Sequence, residues 1–189
     1  FIINGNEKVL IPQERVIDNY PLCVLNSKCK KFPIVVELKS TIKNKFLPTK
    51  PLVFKISSKD EVAGNIIKIT MPYLRQDISL CIMFRALGIL SDKEIIEYVV
   101  LDINNEINKD IIQILNYSLD EACNILDQYS ALEYIGKYIT NVPREIKNDK
   151  DKLINYVKNL LTTEYLPHVD ESFKKKALYT GYLVKKLIL

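Results

Sequence analysis

The 189-residue chain is 48% apolar and 26% charged, with a formal net charge of +4. That balance excludes a disordered tail and is enough for one domain with a hydrophobic core, or a domain with a small appendage. No stretch approaches the roughly 20 apolar residues of a membrane helix, and no basic-then-apolar leader with a small-residue cleavage site opens the chain, so an intracellular location is expected.

The first residue is not methionine, and the start falls within an apparent hairpin, which leads us to expect a piece of a longer protein. Phe1–Ile3 and Val9–Ile11 flank Asn4-Gly5, a pair suited to a tight turn, and the polar run Gln13-Glu14-Arg15 follows. Short β-branched or aromatic runs then predict strands over Leu22–Leu25, Phe32–Leu38, Leu52–Ile56 and Asn65–Met71. Between them Asn26-Ser27-Lys28, Lys43-Asn44-Lys45 and Ser57-Ser58-Lys59-Asp60 read as turns, so the first part predicts an antiparallel meander with one wet face.

After Pro72 the period lengthens. Asp77 is placed to cap a helix carrying Ile78, Leu80, Ile82, Met83 and Leu87, and Gly88 to stop it. Ser91-Asp92-Lys93-Glu94 reads as a capping box before a helix over Ile95–Leu101, and Ser118-Leu119-Asp120-Glu121 as another before Ala122–Leu126. Further helices are predicted over Ser130–Tyr138, Asp149–Glu164 and Glu171–Leu189. Strands and helices segregate, which predicts an α+β fold rather than a doubly wound sheet.

The chemistry-bearing residues are few. Cys23, Cys29, Cys81 and Cys123 have neither zinc-knuckle nor disulfide-scaffold spacing and read as reduced, mostly buried small apolar residues. His168 is the single histidine and reads as structural; no phosphate-binding glycine loop is present. Asp149-Lys150-Asp151 and the Asp102, Glu106 pair read as solvated faces or caps. Residues 1–75 hold 13 Lys and Arg against 6 Asp and Glu, and residues 76–189 hold 14 against 17. That basic first part suits a phosphate backbone, or a solvated sheet whose lysines suppress edge pairing, the reading that charge alone favours.

The string Phe1 to Arg15 closely resembles the FIING segment of the second-largest, beta-like subunit of multisubunit DNA-dependent RNA polymerases. Pro72-Tyr73-Leu74-Arg75-Gln76-Asp77-Ile78, Phe84-Arg85-Ala86-Leu87-Gly88-Ile89, Ala131–Gly136, Glu164-Tyr165-Leu166-Pro167-His168 and Lys176–Leu189 resemble further blocks of that subunit, in its order. The resemblance implies that residues 1–19 are the junction hairpin at the end of a preceding protrusion. Residues 20–189 would be a lobe domain, with strands over about 20–72 and helices over about 77–189. It implies one wall of a DNA cleft, with an outer face for initiation and elongation factors, and no catalytic residue on this segment. The largest subunit would hold most of the Mg2+ coordination, and the partners would be that subunit, the other subunits, the DNA template and the RNA–DNA hybrid, with no membrane.

Carried onto matching positions, Lys8 and Arg15 are candidates for phosphates and Gln13 for a polar contact. An equally weighted alternative has Glu7, Glu14 and Arg15 bonding locally to fix the domain junction. Pro12 stands where the family often has a small residue and removes a backbone donor. Asp77 and Arg85 are read as structural motif positions, paired with each other or with another carboxylate across the helix–sheet seam. The Phe84–Gly88 block looks most like the messenger-RNA-transcribing eukaryotic, archaeal or large-virus enzymes, and the abundance of Asn, Ile and Lys without Trp suggests an AT-rich genome, of a protist or a large DNA virus. The location would then be a nucleus, or a virion or viral factory. A different class remains open: a freestanding α+β interaction module whose basic sheet binds nucleic acid or an acidic protein.

Overall fold

The computed structural model describes residues 1–27, 29, 31–42, 47–57, 65–103, 105, 108–140, 142–147 and 149–189. The turn residues Lys28, 43–45 and 58–60, and Glu106 of the carboxylate pair, lie outside them.

Strands β1 (Ile2–Ile3) and β2 (Asn6–Glu7) form a separate hairpin, with Asn4 at φ 52° and Gly5 at φ 75°. Two successive positive φ values make the turn that matches strand twist, and an Asn-Gly pair is the usual way to reach it. The main sheet is a five-stranded antiparallel meander in chain order: β3 (Leu22–Leu25), β4 (Ile34–Ser40), β5 (Lys50–Ile56), β6 (Ile67–Thr70) and β7 (Ile78–Ser79). Alternation decides its faces. Val36 pairs with Phe54 and Phe54 with Ile69, while Leu38 pairs with Leu52, and all five are buried. Lys55 and Lys68, opposite one another, point the other way, so the expected wet face is present.

Helices cover the apolar face: α1 (Leu80–Ala86), α2 (Asp92–Val100), α3 (Lys109–Glu121), α4 (Gln128–Lys137), the short α5 (Arg144–Lys147), α6 (Lys150–Thr163) and α7 (Phe173–Ile188). Every residue of α1 is buried. Helix α7 packs on β4, β5 and α2, α3 and α1 on β6, and α4 on α6, which places the core between sheet and helices. Fully burying an aliphatic or aromatic side chain contributes about 1.5–3 kcal/mol, so this seam is the main stabilising element. The fold is the expected α+β.

Several local expectations are corrected. Asp77 does not cap a helix: Ile78 and Ser79 pair with Ile69 and Lys68, so α1 starts at Leu80 behind Ser79. Ser91 is the N-cap of α2, but its side chain makes no capping bond and Asp92 is drawn instead to Arg85. Ser118-x-x-Glu121 starts nothing: it lies in the last turns of α3, where the buried Ser118 hydroxyl accepts the Ile67 N–H at 3.0 Å. Residues 122–126 are not helical. Asp149 does cap α6, accepting the Asp151 and Lys152 amides, and the Lys152 amide holds its carboxyl below the ordinary range. All four thiols are free, but only Cys81 is buried; Cys23 and Cys123 are exposed and Cys29 is intermediate. Burial pushes the Cys81 thiol up to about 12.

Candidate functional site

Residues 1–17 form an exposed arm. Its attachment is Asn19, at φ 62°, whose amide N–H donates to Lys39 O and whose side chain bonds the Thr41 backbone in both directions, at 2.8 and 3.0 Å. Lys8, Gln13 and Arg15 are all exposed on this arm, but no hydrogen bond joins any two of them among the described residues. Lys8 follows β2, where its N–H closes the hairpin onto Phe1 O at 2.7 Å. Arg15 donates to Asp18 at 2.6 Å, a local ion pair beside the attachment point. The two readings of the arm therefore divide: Arg15 has a local bond, to Asp18 rather than to Glu7 or Glu14, while among the described residues Lys8 has no carboxylate partner.

On the sheet, three lysines are met by carboxylates rather than left for a phosphate backbone. Lys50 pairs with Glu164 at 2.6 Å, Lys55 with Asp77 at 3.2 Å and Lys68 with Glu121 at 3.0 Å. The Glu164 hydrogen bond raises the Lys50 ammonium above its ordinary range. Thr70 Oγ1 also donates to Asp77, so this carboxylate ties β5, β6 and the entry to β7 together.

Arg85 is buried, and its partner is Asp92 rather than Asp77. Its Nη2 donates to Asp92 Oδ1 at 2.7 Å, and its Nη1 donates to the carbonyls of Ala122 and Ile125. The planar fork of a guanidinium suits this, because it reaches three acceptors at once. The turn after α3 is thereby fixed to α1, and both motif residues, Asp77 and Arg85, bond across elements within the fold.

Lys176 is a second buried cation. It is fully buried in α7, and its ammonium donates to the carbonyls of Leu161, Thr162 and Tyr165 at 2.6–2.9 Å, satisfying acceptors that the end of α6 leaves without intrahelical partners. Burial lowers it to about 8. Beside it the Tyr165 phenol bonds Thr180 Oγ1 at 2.7 Å, and burial holds that phenol above its ordinary range. His168 has Nδ1 2.7 Å from Ser40 Oγ and its ring edge-on to Tyr179 at 4.9 Å. Only the interruption of an amphipathic helix by a charge pointed to Lys176 in the sequence.

The site thus combines an exposed arm, ion-paired sheet lysines and two buried cations that hold chain turns through backbone carbonyls. Residues 48–189 match the family RNA polymerase Rpb2, domain 2, and the chain belongs to that family, the lobe region of the second-largest subunit. It is 36% identical over 196 residues to DNA-directed RNA polymerase II subunit 2 of Arabidopsis thaliana, and 37% identical over 194 residues to the RPB2 subunit of Eremothecium gossypii. It is 30% identical over 191 residues to DNA-directed RNA polymerase subunit Rpo2N of Methanocaldococcus jannaschii. Each alignment covers 100% of this chain, but only 16%, 15% and 35% of those relatives, respectively. The arm lies before the matched domain and is nevertheless aligned in all three.

Proposed function

We propose that this chain is a lobe segment lining the DNA cleft of a DNA-directed RNA polymerase, joined through its arm to a preceding protrusion. The observation that carries this reading is the alignment of the entire chain, arm included, with relatives named as DNA-directed RNA polymerase subunits. Residues 1–19 would be the junction and 20–189 the lobe. In the assembled enzyme Lys8 attracts phosphate, Gln13 offers a polar contact, and Arg15 either adds to the charge or stays with Asp18; none of the three reads sequence. Polymerisation would belong to the whole complex, with Mg2+ held mainly by the largest subunit. The lobe positions the template and the RNA–DNA hybrid and receives initiation and elongation factors. The nucleus is the location for a cellular eukaryote, and a virion or viral factory for a large DNA virus.

The test is affinity purification of the full-length protein with its partners, followed by template-directed RNA synthesis with and without magnesium. A larger copurifying subunit and magnesium-dependent RNA synthesis are expected. A lone, inactive protein would overturn the reading. Within an active complex, Lys8→Ala should weaken DNA binding about equally across sequences and lower the salt slope by about 1, whereas Lys55→Ala and Lys68→Ala should leave that slope unchanged. The alternative of a freestanding basic-sheet module loses its main support, because Lys50, Lys55 and Lys68 are already ion-paired.

A further inference from the structure

We propose that the free edge of β3 is a docking site for an extended acidic segment of another polypeptide, which adds to the sheet as a sixth strand. Among the described residues β3 pairs only with β4 and is the outermost strand of the meander. The direction of its backbone groups follows from one bond. Asn26 N–H donates to Pro33 O at 2.7 Å, so the opposed pair 26 and 33 is a hydrogen-bonded one. In an antiparallel ladder such pairs alternate, so Val24 and Leu22 bond to β4 while Cys23 and Leu25 direct their N–H and C=O groups away from it. These are two donors and two acceptors at the spacing that an incoming strand requires.

Natural edges are commonly protected by a charge, a proline or a bulge. β3 reads Leu-Cys-Val-Leu, with Cys23, Val24 and Leu25 exposed and Leu25 at 79%. Its charges come from neighbours. The Cys23 thiol donates to Lys186 O at 3.4 Å, which sets the last turn of α7, with Lys185 and Lys186, beside the inner side of the edge. Lys31, before β4, and Lys39, within it, stand toward the two ends of the β3–β4 pair. Among the described residues none of these four lysines has a carboxylate partner, in contrast to Lys50, Lys55 and Lys68. An acidic strand suits both features: its backbone completes the ladder, carboxylates on the face shared with Cys23 and Leu25 meet Lys185 and Lys186, and the alternate apolar side chains cover Val24 on the opposite face. A phosphate backbone would satisfy the lysines and accept from the edge N–H groups, but it has no donor for the edge carbonyls and no cover for the apolar side chains. The inference is independent of how the arm meets nucleic acid.

The probes are a capped peptide of alternating valine and glutamate, its valine–lysine counterpart, and a short DNA duplex, each titrated against the full-length protein. The glutamate peptide should bind and slow hydrogen exchange at the Cys23 and Leu25 amides; the lysine peptide should not. Leu25→Pro removes one outward N–H without breaking the bonds to β4, and Lys186→Glu reverses one charge; each should weaken binding about tenfold. If Leu25→Pro lowers stability, Lys186→Glu and the amide exchange decide. Unchanged peptide affinity in Lys186→Glu with no amide protection would overturn the proposal. So would a duplex that protects those amides where the peptide does not, or protection that rises with protein concentration alone, which would identify a second copy as the occupant.

Discussion

Gly181 determines how closely α2 and α7 approach. A Cβ there would lie 2.1 Å from the Tyr98 carbonyl oxygen and 2.7 Å from its carbon, against about 3.3–3.6 Å for a close carbon–oxygen contact between backbones. The obstacle is helix backbone, which has no rotamer to change, so the two helices must separate by about 1 Å. Alanine recovers about 0.8–1 kcal/mol of helix propensity over glycine. Overpacking costs about 1–3 kcal/mol, and a gap of about 0.5–1 Å forfeits a quarter to a half of each dispersion contact. The helices involved bury Ile95, Val99, Leu183 and Val184, so the packing losses exceed the propensity gain. We expect Gly181→Ala to lose about 2 kcal/mol or more, which for a chain of this length is a fall of about 4–8 °C in Tm. Thermal and urea unfolding read this, with an unchanged urea slope. Gly136→Ala is the comparison: its Cβ would meet the Leu153 side chain at 3.0 Å, which can turn aside, so the change should stay within about 1 kcal/mol of wild type. A Gly181→Ala protein as stable as wild type would refute the reasoning.

Arg85→Met should cost about 3–5 kcal/mol in urea unfolding, because it leaves buried carbonyls without donors, whereas Asp92→Asn at a half-exposed partner should cost less than about 1 kcal/mol. For Lys176, lowered by burial to about 8 from the ordinary lysine value of 10.5, the unfolded chain holds a proton that the native state releases across that window. Stability should therefore rise with pH from about 8 to 10.5 relative to Lys176→Met, read as the difference between the two unfolding profiles; a flat or falling difference would contradict the burial of the ammonium. A thiol reagent at neutral pH should label Cys23 and Cys123 rapidly and Cys81 only after unfolding, followed by mass spectrometry.

Period-two alternation was sufficient to place β4, β5 and β6 to within a few residues, and helical periodicity with the Asp149 cap was sufficient for α6 and α7. What misled was punctuation whose meaning depends on distant partners. Asp77 before an apolar run looks like a cap, but the backbone of Ile78 and Ser79 is taken by β6 and the carboxylate by Lys55 and Thr70. Ser118-x-x-Glu121 has the spacing of a helix start, yet the preceding residues are already helical. Ile111, Leu115 and Ser118 recur at four and three residues on one buried face, a signal that would have found α3 had the serine been read as an inward acceptor. The clamps at Arg85 and Lys176 could not be read locally, since their acceptors are carbonyls whose availability depends on where α3 and α6 end.

The division of charge along the chain has the same origin. The surplus of cations in residues 1–75 and of carboxylates in 76–189 looks like a ligand-binding polarity, but Asp77, Glu121 and Glu164 all lie in the second part and neutralise Lys55, Lys68 and Lys50 of the first. Pairs exposed to this degree contribute about 0–1 kcal/mol each, so they add little stability. Their consequence is to remove much of the sheet's positive field, while among the described residues Lys8 on the arm and Lys31, Lys39, Lys185 and Lys186 near the β3 edge have no carboxylate partner. A charge count becomes a functional argument only after the ion pairs made by the fold are subtracted, and here that subtraction moves the candidate surfaces from the face of the sheet to its margins.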